Sequence, residues 1–324
     1  MSAAVREYEC SVESEIPMGH HVAILMATRN GDRFLQQQLE TIAYQDGSTL
    51  DLWISDDGSA DRTPRILGRL EKSWERGEVH VQDGPQGGFA ENFRSLIVST
   101  GSEADYFAFS DQDDIWEEGK LAAALSWLTA QDPARPSLFC TRTRLIDESG
   151  ETIGYSPLFR REPCFRNAMV QSIAGGNTMV MNRAAFTVVQ AASRRAAFVS
   201  HDWWCYQVVT GIGGTVHYSA TPGLGYRQHG ANLVGDNSTW RARYDRVRRI
   251  AAGRFRNWNT INIKALEAIA DMLTDDAREV LSNFKQAREG TVGNRLAALR
   301  RSGAHRQRAV EQTMLYLACA MGKL

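Results

Sequence analysis

Tyr106-Phe107-Ala108-Phe109-Ser110-Asp111-Gln112-Asp113-Asp114-Ile115-Trp116 passes from an aromatic, apolar stretch directly into three carboxylates. A short apolar run bounded by polar residues reads as a buried strand, so the acidic cluster falls at a strand's carboxyl end. About 55 residues earlier, a spacing of one or two strand–helix crossovers, the pattern already occurs once. There Leu50 to Ile54 leads into Ser55-Asp56-Asp57-Gly58-Ser59. Crowded carboxylates repel each other, and that cost persists only where a cation or a hydrogen-bonding ligand offsets it. The two clusters point to a metal-assisted site for a nucleotide or phosphate, and to an enzyme.

Working outward, His21 to Ala27 reads as the first strand, and Thr28-Arg29-Asn30-Gly31 turns the chain into a helix over Phe34 to Tyr44. After the second strand, Asp61 or Thr63 can cap a helix whose first position suits Pro64 and which runs to about Trp74. Val79-His80-Val81 is a third strand, Gly84 to Gly88 a glycine-rich loop, Phe89 to Val98 a helix, and Tyr106 to Phe109 the fourth strand. This rhythm predicts an α/β domain with a mostly parallel sheet covered on both faces. Ligands of such sheets bind at the carboxyl ends of the strands, where Thr28, Asp56-Asp57, the glycine loop and Asp111 to Asp114 all fall.

The second half is less regular. Ser137 to Thr143 and Leu145-Ile146 suggest a strand, Glu148 to Glu151 a hairpin turn, Thr178 to Met181 a strand after a Gly-Gly pair, His201 to Thr210 an aromatic helix, and Thr215 to Ser219 another strand. From Trp240 onward the pattern is helical and basic, with 17 Lys+Arg against 8 Asp+Glu, although the whole chain carries a net charge of −1. That asymmetry suggests a tail facing a membrane surface, an anionic substrate or another subunit. The expected organisation is a loose leader over 1–19, a catalytic domain over 20–238 (a nucleotide-binding half to residue 116 and a second half after it), and a helical region over 239–324. Five scattered cysteines without Cys-x-x-Cys spacing argue against a disulfide framework or a zinc site and fit a reducing cytosol. No apolar run reaches the roughly 18 residues of a membrane-spanning helix, the acidic leader does not read as a signal peptide, and nothing points to nucleic acid as a partner.

Hard cations bind through one or two carboxylates and complete their shells with phosphate and water. Asp111 and Asp113 could therefore face a metal-bound diphosphate, with Asp114 a third candidate. The plain alternative is an acidic helix start. Asp57 or Asp56 could accept a hydrogen bond from the imide N–H of uracil or thymine, or Asp-Asp-Gly-Ser could be only a turn.

Together, Ala27 to Gly31, Ser55 to Ser59, Gly87 to Phe93 and Phe109 to Trp116 resemble the family 2 glycosyltransferases of the GT-A fold, in order and spacing, over about residues 20 to 235. Gly175-Gly176-Asn177-Thr178-Met179, His201-Asp202-Trp203-Trp204 and Tyr226-Arg227-Gln228-His229-Gly230-Ala231-Asn232 resemble the rhamnosyltransferase-like branch, which serves bacterial O-antigen, capsule and cell-wall polysaccharide. The resemblance implies nucleotide and donor contacts from Thr28, Asn30, Asp56, Asp57, Asn92, Asp111 and Gln112. It implies Mg²⁺ or Mn²⁺ held by Asp113, with His229 on phosphate or metal, and Asp202 as catalytic base. Gly176, Asn177, Trp203, Trp204 and Arg227 are expected around the acceptor or closing loop; the tryptophans could equally be core. Arg29, where tyrosine is usual, and the Gly175-Gly176-Asn177 segment depart from the family pattern.

The implied reaction is metal-dependent, inverting transfer of a sugar to a glycan or polyprenyl-linked glycan acceptor. L-Rhamnose from dTDP-L-rhamnose is favoured over UDP-linked hexoses, and the enzyme is expected in the cytoplasm, in peripheral contact with the membrane or as a homo-oligomer. A phospho-receiver would need its acidic pair after the first strand, and a sugar nucleotidyltransferase would need Arg and Lys in a glycine-rich loop there. Thr28-Arg29-Asn30-Gly31 supplies neither. A nucleotide-binding relative without transfer activity is the remaining, non-enzymatic alternative.

Overall fold

A computed structural model describes residues 19–45, 47–229 and 254–324. Residues 1–18 of the expected leader, the boundary at 238, the Gly230-Ala231-Asn232 end of the late motif and the start of the basic segment at Trp240 lie outside the described residues.

The central strand β1 (His20–Thr28) pairs in parallel with β2 (Ser48–Asp56) on one side and β4 (Tyr106–Ser110) on the other, and β3 (Val79–Asp83) extends the sheet beyond β2. Val22, Ile24 and Met26 of β1 enter one core while Ala23 and Leu25 enter the other. A strand buried on both faces needs no polar alternation, which is why its sequence is an unbroken apolar run. Register then aligns the ends of the strands: Thr28 lies beside Asp56, Asp56 beside Asp83, and Met26 beside Ser110.

Helices α1 (Leu35–Ala43), α2 (Thr63–Ser73) and α4 (Lys120–Thr129) supply one core with Leu35, Leu39, Leu67, Leu121 and Leu125. On the opposite face lie α3 (Phe89–Ser99), α5 (Phe165–Ala168), α6 (Arg183–Arg195) and α7 (His201–Gly211). Two further strands, β6 (Ser137–Thr141) and β10 (Thr215–Ser219), lie toward the other edge of what is a seven-stranded sheet. Between β6 and β4 runs β9 (Val180–Asn182), antiparallel to both, so the sheet is mixed rather than wholly parallel. A smaller sheet sets β5 (Ile115–Trp116) beside β11 (Leu224–Arg227), then β7 (Arg144–Ile146) and β8 (Thr152–Tyr155), with the expected turn joining the last two.

From residue 254 onward come α8 (Arg254–Ala268), α9 (Asp275–Gln286), α10 (Val292–Ser302) and α11 (Ala309–Ala320). Ile263, Leu266, Val280, Phe284, Leu299 and Leu315 of these helices join the core that also holds Phe165 and Trp204. Paired carboxylates of Asp271 and Asp276 fork onto Arg195 and Arg166. Among the described residues no helix is long and apolar enough to cross a membrane.

Phe107 of β4 and Phe186 of α6 stack at 3.7 Å between ring centres, nearly parallel and almost fully buried. Phe186→Ala should therefore lower unfolding free energy by about 3–5 kcal/mol, the usual cost of an aromatic cavity. Urea denaturation checks this, and a loss under about 1 kcal/mol would show that the α6 contact is not packed as described.

Candidate active site

The carboxyl edge of β1 to β4 forms a crevice whose floor is fastened by backbone-directed side chains. Thr28 Oγ1 donates to Asp56 Oδ1 at 3.0 Å, and the Asp57 amide donates to the Thr28 carbonyl at 2.8 Å. Asp56 also accepts from the Ser59 hydroxyl at 2.5 Å. Asp57 is buried, with one carboxylate oxygen accepting from the Gln86 amide at 2.6 Å. Gly84 must be glycine there: a Cβ would stand 2.8 Å from the Asp57 backbone, from its carboxylate and from Asn92 Oδ1. The glycine loop thus serves close approach as well as turning. Asn92 is held by its Nδ2 on the Ser55 carbonyl at 3.1 Å, while its buried Oδ1 lacks a partner among the described residues.

Asn30 adopts a left-handed backbone (φ 48°) and takes the Ala60 amide on its Oδ1 at 2.8 Å, pinning the first loop to the second. Thr63, rather than capping α2, accepts the Gly31 amide on Oγ1; the Asp61 carboxylate takes the Thr63 amide instead. Gln112 binds the Arg29 backbone twice, accepting its N–H at 2.8 Å and donating to its carbonyl at 3.0 Å. A side chain at Gly31 would occupy the Gln112 amide, so this clamp also requires glycine.

The acidic loop after β4 divides its carboxylates. Asp113 Oδ2 lies 2.7 Å from His229 Nε2, bringing together the two residues expected at a metal. Beside them burial, then the charges of Asp113 and Asp202, push the Asp111 carboxyl up to about 7. Carboxylate and imidazole from separate segments form a donor set suited to a divalent cation. With no third His, Cys, Asp or Glu completing a metal cluster among the described residues, such an ion would take its remaining ligands from phosphate and water. Asp114 turns the other way. Fully buried, it accepts from Asn177 Nδ2 at 2.5 Å and from the Arg227 amide at 3.4 Å. Burial, with the charges of Asp111 and Asp113, raises its carboxyl well above the ordinary range.

Asp202 stands in the first turn of α7, partly exposed and close enough to Asp111 to raise it. Its neighbour His201 is buried, stacked on Phe93 at 3.6 Å between ring centres and edge-on to Phe109. Neither ring nitrogen has a hydrogen-bond partner among the described residues, and burial lowers the imidazole to about 4. A Cβ at Gly176 would fall inside this ring, so the Gly-Gly-Asn departure accommodates His201.

The five residues expected around the acceptor or closing loop are all buried. Trp203 donates its indole N–H to the Ala168 carbonyl at 2.6 Å, and Trp204 donates to Ser193 Oγ at 3.0 Å within the core. Trp204 therefore offers no face to a sugar. Arg227 spends its guanidinium on the carbonyls of Asp113, Glu148 and Asp147 and on Gln37 Oε1, over the Phe34 ring. Gly176 and Asn177 wall His201 and Asp114. The hydrogen-bonding groups of Trp203, Trp204 and Arg227 thus meet protein partners within the described residues.

Lys120 escaped the sequence reading. Almost fully buried, it donates to the Asn177 carbonyl at 2.9 Å with Nζ 4.0 Å above the Trp116 ring. Burial lowers it to about 7 against the opposing charge of Asp114. The available signal was a lysine opening an otherwise apolar helix, six residues after Asp114.

A family model for glycosyl transferase family 2 matches residues 23–186. The dTDP-rhamnosyl transferase RfbG of Shigella flexneri is 27% identical over 289 residues, which cover 85% of this chain and 92% of that protein. Among solved structures, S. aureus TarS 1–349 in complex with UDP-GlcNAc aligns with a TM-score of 0.56 at 12% identity, covering 94% of this chain and 88% of that one. This last likeness concerns the fold, a GT-A architecture with helices at its carboxyl-terminal end.

A buried neutral imidazole that protonates freely once unfolded makes stability depend on pH. His201 is depressed in the folded state, so its contribution is present above about pH 6.5 and lost as pH falls toward about 4. The loss is on the order of 3 kcal/mol. Comparing urea denaturation at the two pH values should show that His201→Asn removes most of this acid-side slope; an unchanged slope would mean the imidazole is not held neutral.

Proposed function

The chain belongs to glycosyl transferase family 2, and from that premise we propose that it moves L-rhamnose from dTDP-L-rhamnose to a hydroxyl of a glycan or lipid-linked glycan, inverting the anomeric centre. The observation that carries this reading is that Asp202, in the first turn of α7, lies near enough to Asp111 for its charge to help raise the Asp111 carboxyl. The donor assignment draws support from the likeness to the dTDP-rhamnosyl transferase.

In this account Asp57 accepts the imide N–H of the base at the foot of the crevice, with Thr28 beneath it. Asn30, Asp56, Asn92 and Gln112 hold the loops that frame the nucleotide, and Asp111 lies toward the ribose or sugar. Asp113 and His229, 2.7 Å apart, would hold Mg²⁺ or Mn²⁺. A bound divalent cation would neutralise the charge developing on the departing diphosphate. Asp202 removes the acceptor hydroxyl's proton as that oxygen attacks the anomeric carbon and the sugar–phosphate bond breaks. One displacement inverts configuration, so a β-linked donor yields an α-rhamnoside. The exposed Arg300, Arg301 and Arg308 near the carboxyl terminus support a peripheral position on anionic membrane, where a lipid-linked acceptor of surface polysaccharide would reside.

Asp202→Asn should lower kcat by about 10²–10⁴, the usual worth of a general base, while the melting-temperature rise on adding dTDP stays that of the unaltered enzyme. Retained kcat would remove Asp202 from the role of base. NMR of the product should show an α-linkage, and a β-linked product would contradict the single displacement. dTDP should stabilise more than UDP or GDP; a larger UDP effect would overturn the donor assignment.

A further inference from the structure

Outside the crevice, one cysteine differs from the other described ones. Cys140, Cys205 and Cys319 are buried, and burial pushes their thiols up. Cys164, immediately before α5, is partly exposed, and its Sγ lies 4.0 Å from His305 Nε2. The other ring nitrogen, Nδ1, is 3.1 Å from the Gly303 carbonyl. A carbonyl can only accept, so Nδ1 carries the hydrogen and the Nε2 lone pair faces the thiol. A histidine fixed in this tautomer against a cysteine is arranged to take its proton.

The surroundings hold this geometry. Asn167 Nδ2 donates to the His305 carbonyl at 2.8 Å, and the His305 amide donates back to the Arg166 carbonyl at 3.3 Å. Tyr206 OH donates to the Cys164 carbonyl at 3.2 Å and accepts its amide at 2.9 Å. The charged and titratable groups facing the pair are Arg161, on the His305 side, and Arg166, itself paired with Asp276 and near Glu279, with Tyr206 beneath. Burial alone would raise the thiol. The His305 hydrogen bond, helped by the amides of Asn167 and Arg166, outweighs it and brings Cys164 below its ordinary value. The same hydrogen bond raises His305, against its own burial.

We propose that Cys164 is a thiol-modification site, activated by His305, that forms mixed disulfides with low-molecular-weight disulfides. The Cys164 proton passes to His305 Nε2, and the thiolate attacks one sulfur of R–S–S–R. A bond forms between Sγ and that sulfur as the original S–S bond breaks, and the departing thiolate takes a proton from His305 or water. Cys164 is oxidised to the mixed disulfide while half of the reagent is reduced to thiol. An adduct on Sγ would press on the contacts between α5 and residues 303–305, and so strain the seam that joins the C-terminal helices to α5.

The experiment treats the full chain with oxidised glutathione from pH 5.5 to 9 and follows the Cys164 peptide by mass spectrometry. At pH 7 Cys164 should react about tenfold faster than a cysteine in an unstructured peptide, and His305→Gln should remove that advantage and shift the rate midpoint upward. His305→Asn serves as a second variant, with circular dichroism confirming that each remains folded. Labelling should lower the melting temperature, with recovery on adding dithiothreitol. Equal rates in the unaltered chain and in a folded His305 variant, or labelling that leaves the melting temperature unchanged, would overturn the proposal.

Discussion

Repulsion among Asp111, Asp113, Asp114 and Asp202 is the constraint on which the site depends. Bringing them together without collapse requires each charge to meet a donor, a cation or a shift toward its neutral form. Asp114 is buried on Asn177 and the Arg227 amide, and Lys120 lies behind the same asparagine. Asp113 meets His229, while Asp111 is left to rise to about 7. Burial and mutual repulsion thus hold Asp111 and Asp114 toward their neutral forms, while Asp113 is matched by His229. A cation entering with an anionic ligand would relieve the remaining repulsion, which is compatible with the metal-assisted diphosphate binding proposed above.

The wall of the crevice is built by the same economy of glycine. Gly31 yields to Gln112, Gly84 to Asp57 and Asn92, and Gly176 to His201. Each absent Cβ lets a polar or aromatic group reach across from another segment, so loops distant in sequence are locked in mutual register. Arg227 extends this lock to the small sheet, joining the acidic loop to the β7–β8 turn.

Much of this was legible in the chain. The apolar runs of β1 and β4 are unbroken because both faces are buried, β2 alternates around Thr49 and Asp51, and the acidic clusters mark the carboxyl ends of β2 and β4. Less could be read where long-range packing decides. The antiparallel β9 spans only three residues, and its direction is set by neighbours, not by its own sequence. Arg227, Trp203 and Trp204 carry chemistry that suits either a ligand or a core, and only burial decides between them. Lys120 carried a weaker signal, since one lysine at a helix start is commonplace until the helix is seen to be buried around it.

In the proposed reaction Asp113 couples a divalent cation to the diphosphate. Calorimetric titration of dTDP into the unaltered chain and into Asp113→Asn, each with Mn²⁺ and with EDTA, tests it most directly. The expected result is that Mn²⁺ tightens dTDP binding about tenfold or more in the unaltered chain and has little effect on the variant, with the two equal in EDTA. The same Mn²⁺ enhancement in both proteins would contradict the account.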